Sequence, residues 1–157
     1  MALTTTKKNF IDGLENLEVM LHVIRSFGDE LPAACKSTCK EAWNVFDAFL
    51  TKYGSNYDVA ERTTRVLRHG INLFGSSALA ICPSVVNRMT VGFEDTGFSS
   101  YLWIAGKIIG RFGDEEDPAL RRASQEIYQR STNRVVFLLQ AKLPTDIPDG
   151  ESRPVSE

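Results

Sequence analysis

The sequence predicts an all-α protein: an α-solenoid of HEAT-type antiparallel helix pairs, with about six helices. Three observations carry this expectation. Apolar residues recur at steps of three and four along most of the chain, the period of helices that bury one side. Aromatic-glycine pairs punctuate the pattern at Phe27-Gly28, Tyr53-Gly54, Phe74-Gly75 and Phe112-Gly113, with Gly97 closing a further segment. Finally, helix pairs recur at about 40 residues, the period of HEAT solenoids. A plain helical bundle would house the same helices, because two pairs make only a short repeat.

The elements follow in order. Phe10, Leu14, Leu17, Leu21 and Ile24 mark a first helix from about residue 9 to 27. Cys35, Cys39, Ala42, Phe46, Phe49 and Tyr53, widened by Trp43 and Leu50, mark a second from about 33 to 53. Asp58 and Glu61 form a capping-box variant that starts a third helix, which ends at Phe74. Cys82, Val85, Val86, Met89 and Phe93 give the fourth, with Pro83 suited to its first turn. Ser99 or Ser100 can cap a fifth carrying Leu102, Ala105, Ile109 and Phe112. Asp117 before Pro118 starts a sixth that reaches about Lys142. Each glycine after an aromatic residue is expected to take the left-handed conformation that stops a helix.

Within its 157 residues, 43% are hydrophobic and 24% charged, enough apolar material for one buried core. The reading divides the chain into a disordered lead at 1–8, the solenoid at 9–143 and a disordered tail at 144–157. In that tail PTDIPDGESRPVSE offers almost nothing to bury. A formal charge of −2 excludes a protein coated in positive charge, so any anion site is confined to one face. The opening residues lack the apolar core of a signal peptide, and no uncharged run is long enough to span a membrane, which points to cytoplasm and nucleus.

Little in the sequence suggests catalysis. Cys35 and Cys39 stand one turn apart, but no further Cys or His lies at zinc-motif spacing, and both fall on an apolar stripe where free cysteine packs as a small hydrophobe. GKIIGRFG at 106–113 lacks the order of a phosphate-binding loop and sits within a helical pattern, where Gly106 and Gly110 would admit a neighbouring helix. His22 and His69 belong to separate helices without a recognisable triad. The acids of GDEEDP at 113–118 lack the layout of a calcium loop and suit an interhelix turn. No catalytic residue, cofactor or metal ligand is predicted.

The third helix is different. Plotted at 100° per residue, Thr63, Val66, Leu67, Gly70, Ile71, Leu73 and Phe74 gather on one side. Arg62, Arg65, Arg68, His69 and Asn72 fall together on the other, and Glu61 lies one turn before Arg65. Arginine matters here because its planar fork grips a phosphate bidentately. A solvated helix face has the same pattern, so periodicity leaves both readings open.

Three stretches carry a wider likeness: YGSNYDVAERTTRVLRHGINLFG at 53–75, FEDTGFSSYLWIAGKIIGRFGDEED at 93–117 and YQRSTNRVVFLLQAKLPTDIPD at 128–149. In these the chain resembles the importin-beta superfamily of nuclear transport receptors, most closely the transportin-SR branch with its fungal mRNA-transport-regulator members. The resemblance implies a HEAT solenoid that binds cargo on the second helix of each repeat. It also implies an arginine-rich inner helix that receives arginine-serine domains, often phosphorylated. ERTTRVLRHG is similar to that helix, which makes Arg62, Arg65, Arg68, His69 and Asn72 the expected cargo-binding residues. Asn72 departs from the pattern where another basic residue is expected. The likeness falls in the C-terminal half of such receptors, which implies a fragment without the repeats that bind the Ran GTPase. Nuclear pore proteins join arginine-serine cargo among the implied partners. No membrane and no direct nucleic-acid contact are expected. The rival readings are a helical RNA-binding module using the same stripe and a non-functional truncated scaffold.

Overall fold

A computed structural model describes residues 2–26 and 37–142. Its described residues form six α-helices and no strand: α1 Ala2–Ser26, α2 Cys39–Tyr53, α3 Tyr57–Phe74, α4 Cys82–Thr96, α5 Ser99–Phe112 and α6 Pro118–Lys142. A short 3₁₀ turn, Gly75–Ala78, joins α3 to the segment before α4. The helix α1 starts at Ala2, so it takes in residues 2–8, which the sequence reading leaves as a lead. Phe27-Gly28, Cys35, the expected helix start near 33, and the tail at 144–157 lie outside the described residues, as does the side chain of His22.

The helices stack in two layers. α2 packs on α3 and α4 on α5 as hairpins, while α1, α3 and α5 lie side by side in one layer and α2, α4 and α6 in the other. Helix starts at Cys39 and Cys82, and at Tyr57 and Ser99, place equivalent elements roughly 40 residues apart, the length of a HEAT-type unit. The result is an all-α solenoid.

Between the layers lies one apolar core. In α4 the predicted stripe is buried throughout, with Cys82, Val85, Val86 and Met89 fully enclosed. Burial pushes the Cys82 thiol up to about 12, which suits a packing role. In α5 the buried set is Tyr101, Ile104, Ala105, Ile108 and Phe112, so the core face is rotated from the expected Leu102 and Ile109, both only partly buried. The reason is local: YLWIAGKII is apolar on nearly all sides, and periodicity alone cannot orient such a helix.

Tyr101 ties the two hairpins together. Its hydroxyl donates to the Gly54 carbonyl in the α2–α3 turn at 2.5 Å, and burial raises its pKa to about 12. The ring lies on Gly92 of α4, where an added Cβ would meet three ring carbons at 2.8 Å. That is where a glycine permits close approach. Gly106 and Gly110, given this role by the sequence reading, have no atom within 4 Å of an added Cβ.

Several expected caps are also corrected. The residue capping α3 is Asn56, whose extended backbone lets its side chain accept the Val59 N–H at 3.2 Å. Asp58 therefore lies inside the first turn, where its charge still favours the helix dipole. Phe98, with no side-chain cap, precedes α5, and Ser99 is already helical. Of the described helix-ending glycines, Gly75 and Gly97 have positive φ, whereas Gly54 and Gly113 stay right-handed at −65° and −62°. Asp117 behaves as expected, accepting from Ala119 N–H at 2.8 Å and Leu120 N–H at 3.3 Å ahead of α6.

Polar links cross the second layer. Trp43 donates to Ser84 at 2.9 Å and Arg88 to Asp47 at 2.5 Å, joining α2 to α4. The guanidinium of Arg130 in α6 grips both oxygens of Glu94 in α4, and its hydrogen bonds hold that carboxyl below the usual carboxylate range.

Candidate functional site

Helix α3 turns Val59, Ala60, Thr63, Thr64, Val66, Leu67 and Ile71 into the core. Its opposite side carries Arg62, Arg65, Arg68, His69 and Asn72 along the α1–α3–α5 layer, and neighbouring helices sort these into three groups. Arg62 and His69 face α1: Arg62 pairs with Glu15, and His69 Nε2 lies 3.5 Å from Glu18 Oε1. Arg65 stays on the open crest, 47% exposed, with a loose 3.4 Å contact to Glu61. Arg68 and Asn72 face α5. The Arg68 guanidinium sits 5.3 Å from the Trp103 ring centroid, and Asn72 Oδ1 accepts from Arg111 Nη1 at 2.7 Å.

These contacts also give the register of α3 and α5. Tyr57 meets Phe98 edge-on at one end, Arg68 meets Trp103 midway, and Asn72 meets Arg111 at the other end, so the two helices run parallel. Between them lies a groove with two compartments. The larger, an open cavity of ≈ 500 Å³, is bounded by Tyr57, Glu61, Arg65, Arg68, His69 and Trp103, with Glu18, Thr64, Ser99 and Ser100 completing the wall. The smaller, ≈ 260 Å³, lies between Arg68, Asn72, Lys107 and Arg111 over a floor of Ile71, Ile104 and Ile108. Arg68 is common to both.

The predicted residues thus occupy one layer without forming one pocket. Arg65 and Arg68 line the open cavity, and their guanidinium groups can offer paired N–H donors to a carboxylate or phosphate. His69 also reaches its wall, whereas Arg62 lines neither compartment. Sequence reasoning missed the acids of α1, Glu15 and Glu18, and the whole α5 wall. Trp103, Lys107 and Arg111 stand at steps of four on the exposed side of α5, a signal present in WIAGKIIGR. Among the described residues there is no His/Cys/Asp/Glu cluster able to hold a metal, and no helix long and apolar enough to cross a membrane.

A family profile described as the fourth TPR domain of Transportin-3/Importin-13 matches residues 33–134. The chain is 34% identical over 87 residues to the mRNA transport regulator MTR10 of Saccharomyces cerevisiae, a match covering 52% of this chain and 9% of that protein. It is 24% identical over 111 residues to an uncharacterized protein of Schizosaccharomyces pombe, covering 70% of this chain and 12% of the relative. The chain therefore spans about a tenth of the length of these curated relatives. No solved structure matches it. The profile's description speaks of TPR units, whose period is about 34 residues, whereas the helix pairs here have the longer HEAT-type spacing. Both terms describe stacked helix pairs, and a match across α2 to α6 places the chain in the importin-beta family of nuclear transport receptors.

Proposed function

We infer that this chain is a cargo-contacting segment of a nuclear import receptor, working between cytoplasm and nucleus, and that α3 binds a phosphorylated or acidic arginine-serine-type segment. The observation that carries this reading is the state of the stripe. Arg65 and Arg68 are exposed on an open cavity, and among the described residues neither is locked in an interhelical ion pair. Arg62 acts from behind: by pairing with Glu15 it offsets negative charge that α1 presents beside the cavity, while His69 stands against Glu18. The weak Glu61 contact to Arg65 yields to a phosphate, because an exposed i,i+4 pair contributes only about 0.3–0.5 kcal/mol. The segment has no catalytic role in this reading. Nuclear pore proteins are further partners in this reading, and contacts with Ran are assigned to other parts of such a receptor.

Fluorescence titration of phosphorylated and unphosphorylated arginine-serine peptides tests the reading. The phosphorylated form binds more tightly, and Arg65→Ala with Arg68→Ala lowers its affinity at least tenfold. Equal, undetectable binding of both peptides at low salt, by protein with an intact helical circular dichroism spectrum, would sink it.

One observation favours a second reading. Tyr57 and Trp103 are exposed on the cavity wall beside two arginines, a combination on which RNA bases can stack. That reading requires RNA binding with steep salt dependence and loss of affinity in Trp103→Ala. The cargo reading is preferred because Glu18 and Glu61 line the same cavity, where they can pair with the arginines of an arginine-serine segment, whereas a nucleic-acid backbone carries no cation to meet them.

A further inference from the structure

The stretch GKIIGRF, unused by the cargo site above, forms the far wall of the smaller compartment. Its composition differs sharply from that of its neighbour. Three cations, Arg68, Lys107 and Arg111, surround it, and no acidic residue lines it. Lys107 is exposed and has no ion pair among the described residues, while Arg111 is held in place by its bond to Asn72 and has no carboxylate partner either. Cations gathered without counter-charge repel one another, so an anion settling among them relieves the repulsion and gains charge-assisted hydrogen bonds.

A second observation points to the same face. Gly106 and Gly110 alternate with Lys107 and Arg111 on the exposed side of α5, and each lowers helix stability by about 1 kcal/mol relative to alanine. Among the described residues no packing contact accounts for them, since an added Cβ at either would meet nothing within 4 Å. What they leave is a bare strip of helix on which an extended peptide backbone can lie close to α5. Asn72 fits as well. The basic residue missing from α3 at this level is replaced in space by Arg111, delivered from the neighbouring helix and anchored on the Asn72 side chain.

We propose that Arg68, Lys107 and Arg111 form a second phosphate subsite, so that the groove reads two phosphoserines in one extended segment. One phosphate sits at Arg65 and Arg68, the other at Lys107 and Arg111. This rests on the cargo reading above and adds a register to it. The seven-residue step from Arg65 to Asn72 corresponds to about 10 Å along α3. An extended peptide rises roughly 3.3 Å per residue, which matches phosphoserines two to four positions apart.

The test compares affinities of the whole chain for arginine-serine peptides bearing no phosphate, one phosphoserine, or two spaced by two or by four residues. Wild-type protein binds the better-spaced doubly phosphorylated peptide at least tenfold more tightly than the singly phosphorylated one. Lys107→Ala alone, and Lys107→Ala with Arg111→Ala, remove that increment and leave singly phosphorylated peptide binding unchanged. Lys107→Arg restores it. Because the Lys107 side chain supports no other residue in the described structure, its loss separates binding from folding, and an unchanged thermal midpoint confirms this. The proposal is overturned if the double variant keeps the full tenfold preference. It also fails if the second phosphate adds nothing in wild type while Arg65→Ala with Arg68→Ala still abolishes binding, an outcome that spares the cargo reading. Absence of any phosphopeptide binding overturns both. A Lys107 effect confined to a single-stranded RNA probe would assign the subsite to nucleic acid and overturn it too.

Discussion

Helices α3 and α4 are neighbours in sequence, joined by a short 3₁₀ turn, yet they use their side chains in opposite ways. The α4 face bearing Cys82, Val85, Val86, Met89 and Phe93 is sealed against α5 and α6. In α3 an equally clean apolar face is backed by a row of cations open to solvent. Burial sets how much a residue matters to folding, and solvent access sets how much it can matter to a partner. The contrast predicts that substitutions in the α4 environment act on stability alone, while those on the α3 crest act on binding alone.

The largest effect comes from the α4 side. Met89 is fully enclosed, so Met89→Ala lowers unfolding free energy by about 2–5 kcal/mol in urea denaturation, through lost transfer energy and the cavity left behind. If the loss is below about 1 kcal/mol, the core around α4 is looser than its burial implies. Gly92→Ala forces a Cβ against the Tyr101 ring and destabilises by about 1–3 kcal/mol. Removal of the ring in Gly92→Ala with Tyr101→Leu relieves part of that clash, so a double-mutant cycle reads it directly.

Tyr101→Phe comes next, at about 1–3 kcal/mol, because the buried Gly54 carbonyl loses its donor. The tyrosine also gives the fold a pH signature. Its folded pKa, about 12, lies above the ordinary 10.0, since burial penalises the phenolate. The contribution is therefore complete below pH 10 and is lost as pH rises from 10 to about 12. Ultraviolet titration shows a late-ionising component that disappears in Tyr101→Phe. Glu94 works in the opposite direction: Arg130 lowers its pKa from 4.5, so its contribution is present above that value and fades as pH falls below it. Glu94→Gln flattens the acid limb of a stability-against-pH curve.

The smallest effect on folding is expected from the crest. Arg65→Ala and Arg68→Ala shift unfolding free energy by no more than about 0.5 kcal/mol, yet they remove phosphopeptide binding. A large loss of stability from either would show that the crest is part of the scaffold and erase the contrast.

Much of this layout is legible in the sequence, for reasons particular to each element. The α4 stripe can be read because its polar residues leave one continuous apolar face. Asp117-Pro118 can be read because an N-cap and a fixed φ are local chemistry. Helix α5 is ambiguous, since Trp103 and Leu102 are as apolar as the buried Tyr101 and Ile104. The cap of α3 is not legible, since Asn56 and Asp58 are both residue types that cap well and it is the extended backbone at Asn56 that makes it the cap. In the site, the arginine row follows from one helix, so its angular pattern reveals it. Its partners, Glu15, Glu18, Trp103 and Arg111, come from two other helices. Which residues meet there depends on how far each helix slides along the next, and no single-helix periodicity encodes that.

The bond from Tyr101 to Gly54 has a mechanical consequence. The curvature of a solenoid is set by the small rotation of each helix pair against the next. Here the rotation axis is pinned: the phenol holds the turn of the first pair, and its ring bears on Gly92 of the second. Trp103 follows Tyr101 by two residues on the same helix, and Lys107 follows one turn later. Any change in pitch that rolls α5 about this pin swings both side chains across the groove.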